Sequence, residues 1–146
     1  MTGMYILPDV NVLVAAHRID HPAHQAARAA LDDEGHRGFA LCPHLWNGFI
    51  RLVTHPSIFS PPTPLAVALD TVREWRQRPT TRILADTPAS WDLFEKLCRL
   101  HRAQGNAVYD LHLAALAISH RCVLVSSDQG FARFDGLRWK TPDALI

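Results

Sequence analysis

The sequence predicts an α/β domain built on a central, mainly parallel sheet of about five strands. Three observations carry this. Short apolar runs alternate along the chain with longer segments of helical periodicity, the order expected of repeated strand–helix units. Cys122 to Ser126 (CVLVS) is apolar at successive positions, the pattern of a strand covered on both faces, as in parallel sheets. Finally, 146 residues, 48% of them hydrophobic, suffice for one sizeable core, and residues 1–146 are read as a single domain.

Taken in order, Tyr5-Ile6-Leu7-Pro8 is a short strand that hands over at Asp9 to a helix beginning at Val10; proline is admissible near a strand end. His21-Pro22 begins a helix to about Asp33 on an alanine-rich face, and Gly35 and Gly38 bracket its exit. Phe39 to Cys42 is the second strand. Pro43 suits the first position of a helix that runs to Thr54 and stops at His55-Pro56. After the proline-rich loop Ser57 to Pro64, Leu65 to Arg78 is amphipathic. Arg82-Ile83-Leu84 is a third strand, and Asp86-Thr87-Pro88 caps a helix over Ala89 to Ala103. Asp110 opens the helix to His120, CVLVS follows it, Leu137-Arg138-Trp139 is the last strand, and Pro142 to Ile146 is a tail.

No apolar run approaches 18 residues, so nothing reads as a membrane span, and MTGMYILPDV lacks the features of a signal peptide. Cys42, Cys98 and Cys122 have no metal-binding spacing. The sequence therefore suits inert thiols in a reducing cytoplasm. The formal charge of +1 excludes no partner, but the basic residues are nearly all Arg, which grips phosphate bidentately.

The chemistry lies in three acids. Asp9 follows the first strand, Asp128 follows CVLVS, and Asp110 starts the helix before it. Each alone reads as a helix cap. Together, each beside an apolar element that sends it toward one rim, they read as a cluster at the carboxyl edge of a sheet, where ligands collect. Clustered carboxylates repel one another and require a cation. Oxygen donors without clustered Cys or His select Mg²⁺ or Mn²⁺, whose retained waters suit attack on a phosphodiester.

LPDVNVLVA (Leu7 to Ala15), GFIRLVTHPSIF (Gly48 to Phe59), GNAVYDLHLAALA (Gly105 to Ala117) and SSDQGFARFDGLRW (Ser126 to Trp139) resemble, in order and spacing, the PIN-domain ribonucleases, specifically the VapC-type toxins of bacterial toxin–antitoxin pairs. The resemblance implies a PIN-like α/β/α sandwich and an endoribonuclease that uses Mg²⁺ or Mn²⁺. It also implies a homodimer inhibited by a small VapB-type antitoxin. Asp9, Asp110 and Asp128 match the family's metal-binding acids, and Asn11, Ser126 and Ser127 fall where the family places neutral groups that steady them.

One departure stands out. The family usually carries a further acid, most often Glu, on the helix after strand two. Here that helix reads HLWNGFIRL, and no Asp or Glu occurs from Gly35 to Leu69. Asn47 offers a neutral carbonyl oxygen there but no charge. Arg51 reads equally as a phosphate contact or as a carboxylate's partner. Arg133 and Lys140 are either RNA-groove residues or solvated surface. His112 and His55 read as packing and helix-end residues, and Trp46 and Phe49 as core.

Two functions therefore compete: a metal-dependent endoribonuclease toxin, and a catalytically weak PIN module acting by RNA or antitoxin binding. A phosphatase with an aspartyl nucleophile is a third, but such enzymes need a second Asp two residues on, where this chain has Asn11.

Overall fold

The computed structural model describes residues 4–32 and 37–145. Its strands are β1 (Tyr5–Pro8), β2 (Gly38–Leu41), β3 (Arg82–Ile83), β4 (Val123–Val125) and β5 (Trp139–Lys140). The helices are α1 (Val10–His17), α2 (His24–Leu31), α3 (Pro43–Val53), α4 (Leu65–Gln77), α5 (Pro88–His101) and α6 (Asn106–Ser119), with 3₁₀ turns at Gln129–Arg133 and Pro142–Leu145.

All strand pairs are parallel, in the order β3-β2-β1-β4-β5. Successive strand residues point to opposite faces. Ile6 and Leu7, Phe39 to Leu41 and Val123 to Val125 are nonetheless all buried, so helices cover both faces of the central strands. The expected α/β/α arrangement is the observed one. α1 and α6 bury consecutive residues, Val12 to Ala16 and Leu113 to Ala117, as befits helices enclosed on most sides.

The order matters for function. β1 lies at the centre, the chain winds outward to β2 and β3 on one side, and it returns to β4 and β5 on the other. The carboxyl ends of β1 and β4 therefore flank the point where winding reverses, and a crevice opens there. Pairing of Pro8 with Val125 sets Asp9 beside Ser126, 117 residues away in sequence.

Several boundaries differ from the sequence reading. α6 begins at Asn106 after Gly105, whose φ of 62° sets the turn, so Asp110 lies inside the helix and does not open it. α2 begins at His24, because His21 closes a turn with its ring Nδ1 accepting from the Ala23 N–H. β5 comprises Trp139 and Lys140, since register with Leu124 and Val125 selects those residues and Leu137 belongs to the preceding turn. Thr87 caps α5 in a reciprocal pair with Ser90. The expected helix end at Asp33, the exit turn at Gly35 and the final Ile146 lie outside the described residues.

Gly38 is required at the start of β2. Its φ is +149°, and an added Cβ would lie 2.4 Å from the Thr80 carbonyl oxygen. Gly38→Ala should cost about 2 kcal/mol, combining strain with a backbone clash. It should lower the urea midpoint at unchanged slope, and an unaltered midpoint would show that the loop before β3 yields freely.

Candidate functional site

Asp9 is the residue the sheet presents first. It leaves β1 in extended conformation and caps α1, its Oδ1 accepting from the Val10 N–H at 2.7 Å. Its Oδ2 accepts from the Ser126 hydroxyl at 2.8 Å and from the Asn11 amide at 3.5 Å. The Ser126 Oγ in turn accepts from the Asn11 amide and from the Asp128 N–H, each at 3.1 Å. The Asn11 carbonyl accepts from the Ser127 N–H at 3.3 Å, so Ser127 acts through its backbone. Asn11, Ser126 and Ser127 thus form one network that ties the end of β1 to the end of β4.

Asp128 caps the 3₁₀ turn, its Oδ1 accepting from the Gly130 N–H at 2.8 Å. The cap reading therefore describes Asp9 and Asp128 correctly and fails for Asp110. Asp110 projects from the second turn of α6, and among the described residues no hydrogen bond to its carboxylate is found. Asp110 and Asp128 line a cleft of about 740 Å³ with Asn47, Arg51, His44 and Tyr109. Asp9 lies deeper, only 7% exposed.

Electrostatics joins the three. Burial raises the Asp9 pKa above its ordinary value, the Ser126 and Val10 hydrogen bonds pull it back, and the Asp128 charge raises it further. The Asp110 pKa is raised by burial first, then by the charges of Asp128 and Asp9, against a smaller opposing effect of Arg133. The Asp128 charge is thus felt by both Asp9 and Asp110, and the Asp9 charge by Asp110.

Among the described residues no three His, Cys, Asp or Glu side chains form a ready-made metal cage. The donor set of the cleft is nevertheless one of carboxylate and amide oxygens, and Mg²⁺ is usually held by one or two carboxylates while it keeps its waters. The chemistry of the donors fits a hard divalent cation.

The other singled-out residues sort clearly. Asn47 and Arg51 reach the cleft from α3, where a further acid was looked for. Arg51 makes no ion pair among the described residues. Arg133 folds over the Phe134 ring, 4.2 Å from its centroid, and donates to the Gly130 carbonyl. Lys140 is exposed on β5 and accepts the Ser126 N–H through its carbonyl, but it does not line the cleft. His112 is a packing residue, bonded to Asp86 at 2.9 Å and stacked on His44. His55 ends a helix, its ring accepting from the Ser57 N–H, and Phe49 is fully buried. Trp46 is half-buried beneath the Arg76 guanidinium.

The family model described as PIN domain matches residues 6–137. The chain belongs to the PIN-domain family. Among its relatives are ribonuclease VapC25 of Mycobacterium tuberculosis, 38% identical over 93% of this chain and 97% of that one, and ribonuclease VapC31 of the same species, 38% identical over 95% and 99%. Solved structures share the PIN fold at lower identity. VapBC2 of Rickettsia felis, bound to a promoter DNA fragment, superposes with a TM-score of 0.68 at 17% identity over 94% of this chain and 98% of that one. VapBC-1 of Haemophilus influenzae gives 0.68 at 17% over 95% and 98%.

His44 and Tyr109 are cleft residues that the sequence did not single out. Tyr109 adjoins Asp110, which was a usable signal; His44 follows Pro43 with none. Burial and the neighbouring His112 lower the His44 pKa from 6.5 to about 4, with Asp86 opposing, so this PIN domain presents a neutral imidazole there. Burial likewise raises the Tyr109 pKa, so both side chains are uncharged at neutral pH.

Two outcomes follow from this geometry. Ser126→Ala removes a donor to a buried carboxylate and should cost about 2 kcal/mol near neutral pH. The cost should shrink in acid as Asp9 takes its proton; a pH-independent cost would show that the hydroxyl serves packing alone. For His44 the folded pKa is depressed, so the unfolded chain binds a proton that the fold refuses between pH 6.5 and about 4. Stability should fall as pH drops through that window, and urea midpoints of His44→Phe should fall less. Equal acid sensitivity in both proteins would exclude His44 as the source.

Proposed function

We propose that this PIN domain is the toxin of a VapBC-type toxin–antitoxin pair, an endoribonuclease that hydrolyses RNA phosphodiester bonds with Mg²⁺ or Mn²⁺ at the cleft. The observation that supports the reading is one cleft lined by Asp110 and Asp128, with Asp9 behind it tied to the Asp128 backbone through the Ser126 hydroxyl, at the switch point of the sheet. The names of its VapC relatives and the VapBC composition of its structural neighbours support it.

In this reading Asp110 and Asp128 hold the cation, and Asp9 adds its charge from behind. A bound divalent ion supplies Lewis acidity toward phosphate oxygens and a nucleophilic water at neutral pH. Ser126, with Asn11 and the Ser127 N–H, keeps Asp9 in one orientation, and the Ser126 bond opposes the rise in pKa that burial causes. Asn47 lends a neutral oxygen. Arg51 meets phosphates in the cleft, and Arg133 and Lys140, which do not line it, do so at its margin. The working protein is a cytoplasmic homodimer held inactive by a VapB-type antitoxin, and no helix among the described residues is long and apolar enough to cross a membrane.

A second reading has its own support. α3 brings Asn47 and Arg51 to the cleft and no acid, so the site has one negative charge fewer than the family pattern and a cation facing it. That balance favours slow, selective cleavage and, at its limit, a module that acts by binding RNA or antitoxin.

Cleavage of structured RNA with Mn²⁺, followed by sequencing of the ends, separates these. Asp9→Asn and Asp110→Asn should each lower the rate at least about a hundredfold, as loss of several kcal/mol of metal-borne stabilisation requires. Mn²⁺ should raise the melting temperature of the native chain and do so less for Asp110→Asn. Activity that survives both substitutions would refute the site assignment; a native chain that binds RNA without cutting it would favour the second reading.

A further inference from the structure

The opposite edge of the sheet carries its own pattern. Because every strand is parallel, all five begin at one edge. Arg82 begins β3, Arg37 precedes β2, Tyr5 begins β1, Arg121 stands two residues before β4, and Arg138 precedes β5. In spatial order the edge therefore reads Arg, Arg, Tyr, Arg, Arg. With neighbouring strands about 4.8 Å apart, that row spans about 19 Å. All four arginines, Tyr5 and His120 line a second cavity of about 600 Å³. No carboxylate lines it among the described residues, and none of the four arginines is salt-bridged there.

Arginines that serve stability are ordinarily paired, as Arg18, Arg28 and Arg78 are elsewhere in this chain. Here two of the four flank an aromatic ring, the guanidiniums of Arg37 and Arg82 standing 5.2 Å and 5.8 Å from the Tyr5 centroid, and Arg138 donates to the Met4 sulfur. Arg121 holds a φ of 55°, a left-handed conformation in which glycine is the cheaper choice. Like charges that converge on a concavity repel, and an anion relieves the repulsion.

We propose that this amino-terminal edge is a phosphodiester-binding exosite that holds the backbone of a nucleic acid whose cleavable segment lies at the acidic cleft. A linear row of bidentate donors matches a chain of regularly spaced phosphates better than a single small anion. An aromatic face between paired arginines adds a platform on which a base stacks. The four residues of β1 separate the two edges by about 13 Å through the sheet, and an RNA reaching both passes around the helices that cover its faces. RNA as the ligand rests on the ribonuclease reading; the site's preference for phosphate does not.

The test is binding of a fluorescent single-stranded RNA to the full chain in chelator, read by anisotropy across a salt series, so that no cleavage is needed. Replacing the two outer residues together, Arg82→Gln with Arg138→Gln, should reduce the slope of log affinity against log salt by about 1.4, since each single-strand phosphate contact contributes about 0.7. The pair Arg82→Lys with Arg138→Lys should keep the slope. On the native chain, bound RNA should shield Arg82, Arg121 and Arg138 from phenylglyoxal, a readout that no folding defect affects. An unchanged slope, or arginines left unshielded, overturns the proposal. So does polyglutamate that competes as well as RNA of equal charge, since the site would then suit an acidic protein segment. AMP that competes at concentrations comparable to the RNA also overturns it, in favour of a single-nucleotide pocket. A single-stranded DNA with the same slope change supports a site that reads phosphate alone. A native chain that fails to cut RNA yet shows the salt-dependent loss leaves the exosite standing while the nuclease reading falls.

Discussion

The arrangement of this molecule turns on one carboxylate. Asp9 is buried, and burial of a charge is costly unless hydrogen bonds replace its water. The replacement comes from two directions: the first free N–H of α1 and the hydroxyl of Ser126 at the end of β4. The second bond joins parts of the chain 117 residues apart, so the ionised state of Asp9 and the pairing of β1 with β4 support each other. The Asp9 N–H adds to that seam by donating to the Val125 carbonyl at 2.8 Å. Ser126 also receives the Asp128 N–H, which fixes where the next acid can stand.

From that seam the character of the cleft follows. Asp128 is set by the same serine that holds Asp9, and Asp110 is brought in by a helix whose other face is buried in the core. Burial first, and then the charge of neighbouring acids, raises the pKa values of Asp9 and Asp110. α3 comes close because Gly48 leaves room: an added Cβ there would lie 3.0 Å from a Val10 methyl. The helix that approaches brings Asn47 and Arg51 with it, so close packing supplies an amide and a cation. His44 and Tyr109, neutral themselves, leave the charge of the cleft to Asp110, Asp128 and Arg51.

Much of this was legible from the chain, for identifiable reasons. Strands buried on both faces leave continuous apolar runs, and Phe39 to Cys42 and Cys122 to Ser126 were readable as such. Asp9 and Asp128 could be placed because an acid that follows a short apolar run sits at a strand exit whatever the topology. Asp110 was found for its neighbourhood but misplaced within its helix, because Asn106 to Tyr109 carry weak helical periodicity and only the Gly105 turn marks the start. His44 was missed because its role depends on α6 lying beside α3, a tertiary fact with no local signature. The short edge strands were the least legible. β5 has two residues, and its bounds are set by pairing with β4, not by its own composition.

The same parallel topology separates charge across the molecule. Every strand exit faces one edge and every strand start the other, so residues chosen at these positions add up along an edge. Helices follow strand exits, and their amino ends, partially positive, stand at the acidic edge; Asp9 caps one of them. The partially negative carboxyl ends lead back toward the strand starts, where α6 is followed by His120 and Arg121. Acids at the exits and arginines at the starts are therefore each favoured by the backbone that delivers them. A nucleic acid meeting this domain encounters a basic edge that attracts its backbone and an acidic cleft that repels it until a cation is present. On the two proposals made above, binding and cutting belong to different edges, so that a chain with a depleted acid cluster holds RNA firmly even where it cleaves slowly.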